Sequence, residues 1–416
     1  MAIKRGIPLL LMSLLVCGIA RQAPAGLLRV ESQSLFSARN GEDQRAERPM
    51  YEFMEGSYVS SRRDLEVNTN FGVFADPLRS ASDFNLYLMD VAYSPIPDLV
   101  TVRAGRSFNV RTSLRTTTTD SVGADWAFFE KRVKAGAELG VERKRLRTSL
   151  DTASNFAGGH VSYRSASLYP LFLGTKYTFR RPAVQPAANQ HLVSLAAQKP
   201  LPGRWSPELL SNVEISADPG RLNLGEAGLD LYPSYRTALR WRALIYDVRP
   251  TDDHEEPIFT IFSMGRLYET SVQAEHQFVP SFSSSLTAAY DDYLLQERLR
   301  TSGYRLELGS RFSRRFLTVS NAAYFVKSYG GEVLGDRLSF MEELSDRVQL
   351  DQISDVTYYQ KVTSSKRYAL NFEGRLGVWL WDRFKLNTGL EFNNNNSSRY
   401  DFRAVAKLTY LLWKEI

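Results

Sequence analysis

Four histidines are the first place to look for chemistry, because imidazole changes protonation near neutral pH and ligates metals. His160, His191, His254 and His276 are scattered, and no two stand at the i, i+2 or i, i+4 spacing that would bring two imidazoles to one metal. His254 lies within Asp252-Asp253-His254-Glu255-Glu256, a run whose oxygens suit a divalent cation and whose charge equally suits a solvated loop. His276 shares parity with Tyr268, Val272 and Ala274 beside an expected turn, which points to a membrane-interface position rather than a site. A hydrolytic site of this kind needs a His beside Ser or Asp in space, and no local signature marks such a set. The chain is therefore expected to have no catalytic residue, no metal site and no cofactor.

Charge is the more suggestive chemistry. Arg103, Arg106, Arg111 and Arg115 run from an expected strand into the Thr-rich stretch Thr116 to Thr119. If that stretch folded into a pore as a loop, its guanidinium groups would attract anions and slow cations. The alternative is a set of outer-rim arginines meeting lipid phosphates. Arg106 shares parity with Val100, Val102 and Ala104, so it is expected to face lipid near an interface. Further candidates for the lining of a lumen, of both signs, are Glu269, Glu275, Asp291, Arg305, Glu307, Arg311, Glu373, Arg375, Lys385, Glu391, Arg403 and Lys407. Such a mixture wets an interior without predicting strong selectivity, and the same groups could pair across strands and fill it.

The elements that must carry these residues are strands. Between Lys366 and Trp413, Tyr368, Leu370, Phe372, Leu376, Val378 and Leu380 alternate with Asn371, Glu373 and Arg375. Phe384, Leu386, Leu390 and Phe392 alternate with Lys385, Asn387, Glu391 and Asn393, and Tyr400 to Leu412 repeats the pattern against Asp401, Arg403 and Lys407. Period two with ions at mid-strand describes a β-strand with one face apolar and the other wet. The segments reach the roughly 9 to 11 residues that a tilted strand needs to cross a bilayer.

Candidate strands lie near 27–36, 50–60, 64–74, 83–93, 98–109, 121–130, 132–144, 156–166, 170–180, 190–199 and 208–218. Others lie near 221–231, 234–247, 257–265, 267–278, 282–293, 303–312, 315–327, 354–363, 366–380, 384–393 and 400–412. Some of these could be halves of one bent strand or a paired loop, and single-chain barrels close with an even number, so about 18 strands are expected within a range of about 16 to 22. The expected fold class is all-β: a single closed antiparallel transmembrane β-barrel.

Short turns at Ser94 to Asp98, Val279 to Ser281, Ser313 to Arg315 and Trp381 to Arg383 are expected on the periplasmic side. Longer polar connections near 38–48, 110–120, 147–155, 248–256, 294–302, 328–353 and 393–399 are expected outside the cell. Leu338, Phe340, Met341, Leu344, Val348 and Leu350 have near-helical spacing, so a short helix capping or plugging the mouth is expected between Gly330 and Asp355. Tyr87, Tyr93, Trp126, Tyr163, Tyr169, Tyr177, Tyr232, Tyr246, Tyr324, Trp379, Trp381 and Trp413 fall near expected strand ends, as interfacial aromatic girdles would.

Composition agrees. Lys4 and Arg5 precede an apolar run from Ile7 to Ile19 and then Ala23-Pro24-Ala25, the layout of a secretory signal peptide over residues 1–25, with the barrel from 26 to 416. Cleavage after Ala20 is an alternative, and Leu14-Leu15-Val16-Cys17 offers a lipoprotein reading in which Val16 fits poorly. Cys17 is the only cysteine, so no disulfide, cysteine metal site or Cys-x-x-Cys-His haem attachment is available beyond it. The net charge of +6 includes Lys4, Arg5 and Arg21, which leaves the remainder near +3 and argues against a nucleic-acid partner. A mean hydropathy of −0.30 suits a barrel, in which only alternate residues meet lipid.

Val102-Arg103-Ala104-Gly105-Arg106-Ser107, followed by Gly123-Ala124-Asp125-Trp126, is similar to a strand-loop-strand pattern of porin-like barrels, and the chain as a whole resembles a bacterial outer-membrane β-barrel of the porin kind. It departs from that pattern at its end, where Trp413 is followed by Lys414, Glu415 and Ile416 instead of closing on an aromatic residue. The resemblance implies an outer-membrane channel that passes solutes through a polar lumen. It also admits an insulating sheath around a partner such as a multihaem cytochrome, as in porin-cytochrome conduits, and an adhesin or receptor acting through its long loops.

Overall fold

The computed structural model describes residues 25–40, 46–76, 81–112, 115–143, 152–182, 189–217, 220–247, 265–295, 299–328, 331–360, 367–394 and 401–415. Its strands are β1 (Gly26–Asn40), β2 (Ala46–Glu47), β3 (Met50–Ser60), β4 (Leu65–Asp76), β5 (Ala81–Ile96), β6 (Val100–Thr112), β7 (Arg115–Phe128) and β8 (Val133–Arg143). They continue as β9 (Thr152–Arg164), β10 (Phe172–Pro182), β11 (Gln190–Pro200), β12 (Glu208–Ser216), β13 (Arg221–Ser234), β14 (Thr237–Asp247), β15 (Gly265–Val279) and β16 (Phe282–Leu295). The last are β17 (Leu299–Arg314), β18 (Leu317–Ser328), β19 (Gly331–Ser345), β20 (Val348–Tyr359), β21 (Tyr368–Trp381), β22 (Phe384–Asn394) and β23 (Asp401–Glu415).

Each long strand pairs antiparallel with the next, and β1 pairs along its length with β23, from Leu27↔Glu415 to Arg39↔Arg403, so the sheet has no free edge. The two-residue β2 pairs only with the far end of β1. Closure is what a bilayer demands, since an open edge in hydrocarbon leaves backbone groups unpaired at several kcal/mol each. Twenty-two strands therefore form the wall, against the expected 18 or so. Twenty-one of the candidate segments correspond to strands of the barrel, each a strand in its own right, and 257–265 lies almost wholly outside the described residues.

The remaining strand, β19, falls where a helix was expected. Residues 331–359 form the β19–β20 hairpin, with Leu338 opposite Ser354 and Phe340 opposite Gln352. Leu338, Phe340 and Leu344 share the outward parity and Met341 the inward one, so their near-helical spacing is a strand with apolar residues on both faces. The stretches 110–120 and 328–353, expected as loops, are likewise mostly ladder, and Thr116 to Thr119 lie within β7. Threonine favours strand, and β6 and β7 continue to Thr112 and Arg115.

The register shows which face is which. Among described residues, several polar pairs skip an intervening strand, although second-neighbour strands stand about 10 Å apart. His160 Nε2 lies 3.2 Å from Asp125 Oδ1, Lys176 Nζ 2.7 Å from Glu138, Arg305 3.7 Å from Glu269, Tyr324 Oη 3.1 Å from Asp355, and Lys385 Nζ 3.2 Å from Gln349. Side chains converge in this way on the concave side of a curved sheet. The polar parity is therefore the inner wall, and the apolar parity faces out, with Leu390 68% and Phe372 39% exposed.

On the outer face of β16, β17, β22 and β23 aromatic residues form two bands. Phe282 and Tyr290, Tyr304 and Phe312, Phe384 and Phe392, and Phe402 and Tyr410 each sit eight residues apart on one strand. At about 3.4 Å per residue and a tilt of about 40° that is a band of roughly 21 Å, close to the height expected of a hydrocarbon core. Tyr93, Trp126, Tyr163 and Tyr177 belong to the outer face as expected. Tyr246, Tyr324, Trp379 and Trp413 do not, because their register places them on the inner wall.

Candidate functional site

With lipid on the outside, the candidate site is the lumen. Twenty-two strands about 4.8 Å apart and tilted about 40° give a perimeter of roughly 140 Å, hence about 45 Å between opposite backbones. Side chains on both walls leave a clear width on the order of 25 Å. Every described residue outside the strands lies in the short links between them, so no described segment crosses the bore. A 22-stranded wall is too wide for its own side chains to fill.

The expected lining residues fall on the inner wall: Arg103, Glu269, Glu275, Asp291, Arg305, Glu307, Arg311, Glu373, Arg375, Lys385, Glu391, Arg403 and Lys407 all share the polar face by register. Arg111 and Arg115 belong to β6 and β7, and their side chains lie outside the description, as does the whole Asp252 to Glu256 run. The arginine row does not form an anion-attracting loop. Arg103 reaches Asp125 at 3.8 Å on the inner wall. Arg106 stands on the outer face, where Nε and Nη2 donate to the two oxygens of Asp120 at 2.6 and 2.9 Å and Nη1 donates to the Leu86 carbonyl at 3.0 Å. Arg143 shares Asp120 at 2.6 Å.

The three described histidines do not converge. His160 pairs with Asp125 inside, while His191 meets Tyr177 Oη at 2.7 Å and His276 meets Thr237 Oγ1 at 2.9 Å, both on the outer face. The last also lies edge-on to Phe278, in keeping with an interfacial position. Among the described residues no three His, Cys, Asp or Glu side chains stand together as metal ligands would.

Several inner-wall carboxylates face one another directly across strands: Glu31↔Glu55, Glu269↔Asp291 and Glu373↔Glu391. Opposed like charges destabilise a ladder unless something compensates them. Arg375 and Arg403 do so at the third pair, Arg305 at the second and Arg29, 3.2 Å from Glu31, at the first. Among the described side chains, the inner wall from β1 to β5 carries Glu31, Glu55, Glu66, Asp83 and Asp90 against Arg29, and Arg39 has the same parity at the far end of β1. This arc is acidic, and the rest of the wall is mixed.

One group of inner-wall residues escaped the sequence reading. Tyr51, Phe53 and Phe74 occupy the wet parity of β3 and β4, and their rings touch, with centroids 6.1 Å apart for Tyr51–Phe53 and 5.1 Å for Tyr51–Phe74. Tyr87 joins them, its ring centroid 6.4 Å from that of Phe53. The signal was available, because Tyr51 and Phe53 share parity with Glu55; of the four only Tyr87 was expected in a role, as a girdle residue near a strand end, and its ring stands on the inner wall instead.

No family model matches the chain, and no curated protein does. Solved structures match as folds. The siderophore receptor PirA from Pseudomonas aeruginosa aligns with a TM-score of 0.63 at 11% identity, over 94% of this chain and 81% of that one. The ferric enterobactin receptor PfeA in complex with BCV-L6 aligns at 0.64 and 9%, over 92% and 81%. The translocation pore of the P pilus usher PapC aligns at 0.51 and 8%, over 93% and 100%. At these identities the likeness concerns the fold, which is that of outer-membrane β-barrels.

Proposed function

We propose that the chain forms a water-filled channel in a bacterial outer membrane, passing small solutes without covalent chemistry and favouring cations. The observation that carries this reading is a wide bore whose inner wall carries ions around its circumference, mostly acidic from β1 to β5, and is crossed by no described segment. Charged rings in a hydrated pore set its preference by sign. Reconstitution into planar bilayers under a potassium chloride gradient should give steady conductance with a reversal potential of cationic sign. A silent bilayer with correctly inserted protein sinks the channel reading, and a reversal potential of anionic sign sinks the charge argument.

A second reading rests on width. An opening on the order of 25 Å would admit a small folded partner, so the barrel would serve as a sheath, for instance around a multihaem cytochrome. Purification from the native membrane separates the two: a haem-staining partner in constant stoichiometry favours the sheath, and a barrel that arrives alone and conducts favours the channel.

A further inference from the structure

The rings of Tyr51, Phe53, Phe74 and Tyr87 stand where water should be, and two features of the backbone put them there. β5 carries a bulge against β4, so that Leu86 pairs with Phe71 and Leu88 with Asn70 while Tyr87 is the extra residue between them. Bulges re-aim side chains, and this one turns Tyr87 to the inner wall. Opposite it Gly72 supplies the room: a Cβ there would meet the Tyr87 ring at 3.0 Å and the Phe53 ring at 3.1 Å. The cluster lies at the mouth away from the chain's first and last described residues, since Tyr51 is one step from the end of β3.

Directly along the wall from Phe53 comes Glu55, opposed by Glu31 on β1. Glu31 has Arg29 as a partner, and Glu55 is exposed with no ion pair among the described residues. Aromatic faces attract cations, and this chain already uses such contacts, with Lys385 over Trp379 and Arg29 over Trp413. Among the described residues no protein cation lies over any of the four rings at the mouth.

We propose that this cluster, with Glu55 beside it, is a binding site for ring-bearing organic cations at the entrance of the bore, a reading that rests on the lumen being open to solutes. The rings would take the flat apolar part of the ligand, and Glu55 its charge.

Benzyltrimethylammonium is a suitable probe, compared with tetramethylammonium, which lacks the ring, and benzenesulfonate, which reverses the charge. Titration calorimetry on the full-length barrel in detergent should show saturable binding of the first, about tenfold or more tighter than of either comparison ion. Phe53→Leu, which keeps apolar bulk and removes the ring, and Glu55→Gln should each weaken binding severalfold while heat-modifiable gel mobility stays unchanged. In bilayers the same cation should reversibly block potassium current. Equal binding of benzyltrimethylammonium and tetramethylammonium, tighter binding of benzenesulfonate, or no change in Phe53→Leu overturns the site. Conductance without binding discards the site and keeps the channel, whereas binding without conductance supports the site and discards the channel.

Discussion

Asp120 shows how a single residue makes an outward charge tolerable. Arg106 and Arg143 share the apolar parity of Val100, Val102 and Val141, where an unpaired guanidinium costs about 2 to 4 kcal/mol near the bilayer midplane. The bidentate contact from Arg106 and the contact from Arg143 leave both side chains largely covered. Asp120→Asn should therefore lower stability by about 2 to 4 kcal/mol, read as urea unfolding in lipid vesicles, and replacing both arginines by Gln in that background should recover most of the loss. Glycines on the inner wall act by the space they leave. A Cβ at Gly335 would lie 2.2 Å from the Tyr324 ring, whereas at Gly374 on the outer face the nearest atom is 3.6 Å away. Gly335→Ala should cost about 1 to 3 kcal/mol by displacing Tyr324 from Asp355 and Thr357, and Gly374→Ala should stay within about 0.5 kcal/mol in the same assay. The side on which most charged residues stand was legible from parity alone. The partner that neutralises Arg106 was not, because Asp120 comes close only when β6 and β7 pair as a hairpin.

At the scale of elements, period two identified the strands wherever one face is cleanly apolar, as in β21, β22 and β23. It failed at β19 for a physical reason. That strand puts Asp336 and Glu342 among its outward residues and Met341 among its inward ones, which erases the alternation and leaves Leu338, Met341 and Leu344 at helix-like intervals. Asp336 is held by Asn321 of the neighbouring strand, whose Nδ2 donates to it at 2.8 Å, so the exception is compensated across the ladder and not within the segment that was read. Single cysteines placed in turn from Leu334 to Leu344, in a chain with Cys17 replaced, give a direct check. A charged, membrane-impermeant thiol reagent should label them in alternation, with strong modification at Arg337 and Ser339 and weak modification at Leu338 and Phe340. Labelling with a period of three to four residues would restore the helix.

For the whole molecule the deciding quantity is the number of strands, since diameter grows with it. Treating neighbouring segments as halves of bent strands gave about 18, but links as short as 235–236, 315–316 and 346–347 reverse the chain completely, and each segment crosses by itself. Local sequence carries no information about closure, because the β1 to β23 seam joins residues at opposite ends of the chain. That seam is also where the fold can be tested most directly. Ser37 and Val405 are opposite one another across it on the inner wall, at the separation of paired strands that a disulfide can bridge. In a chain with Cys17 replaced, Ser37→Cys with Val405→Cys should oxidise readily in the folded protein, and the heat-denatured product should migrate as a closed loop until reduced. A control pair displaced around the wall, Ser37→Cys with Arg375→Cys, should not crosslink, because β21 is separated from β1 by two intervening strands. Crosslinking of the control but not of the seam pair would mean that the sheet closes elsewhere, and the bore, its acidic arc and the ring cluster at its mouth would all have to be drawn again.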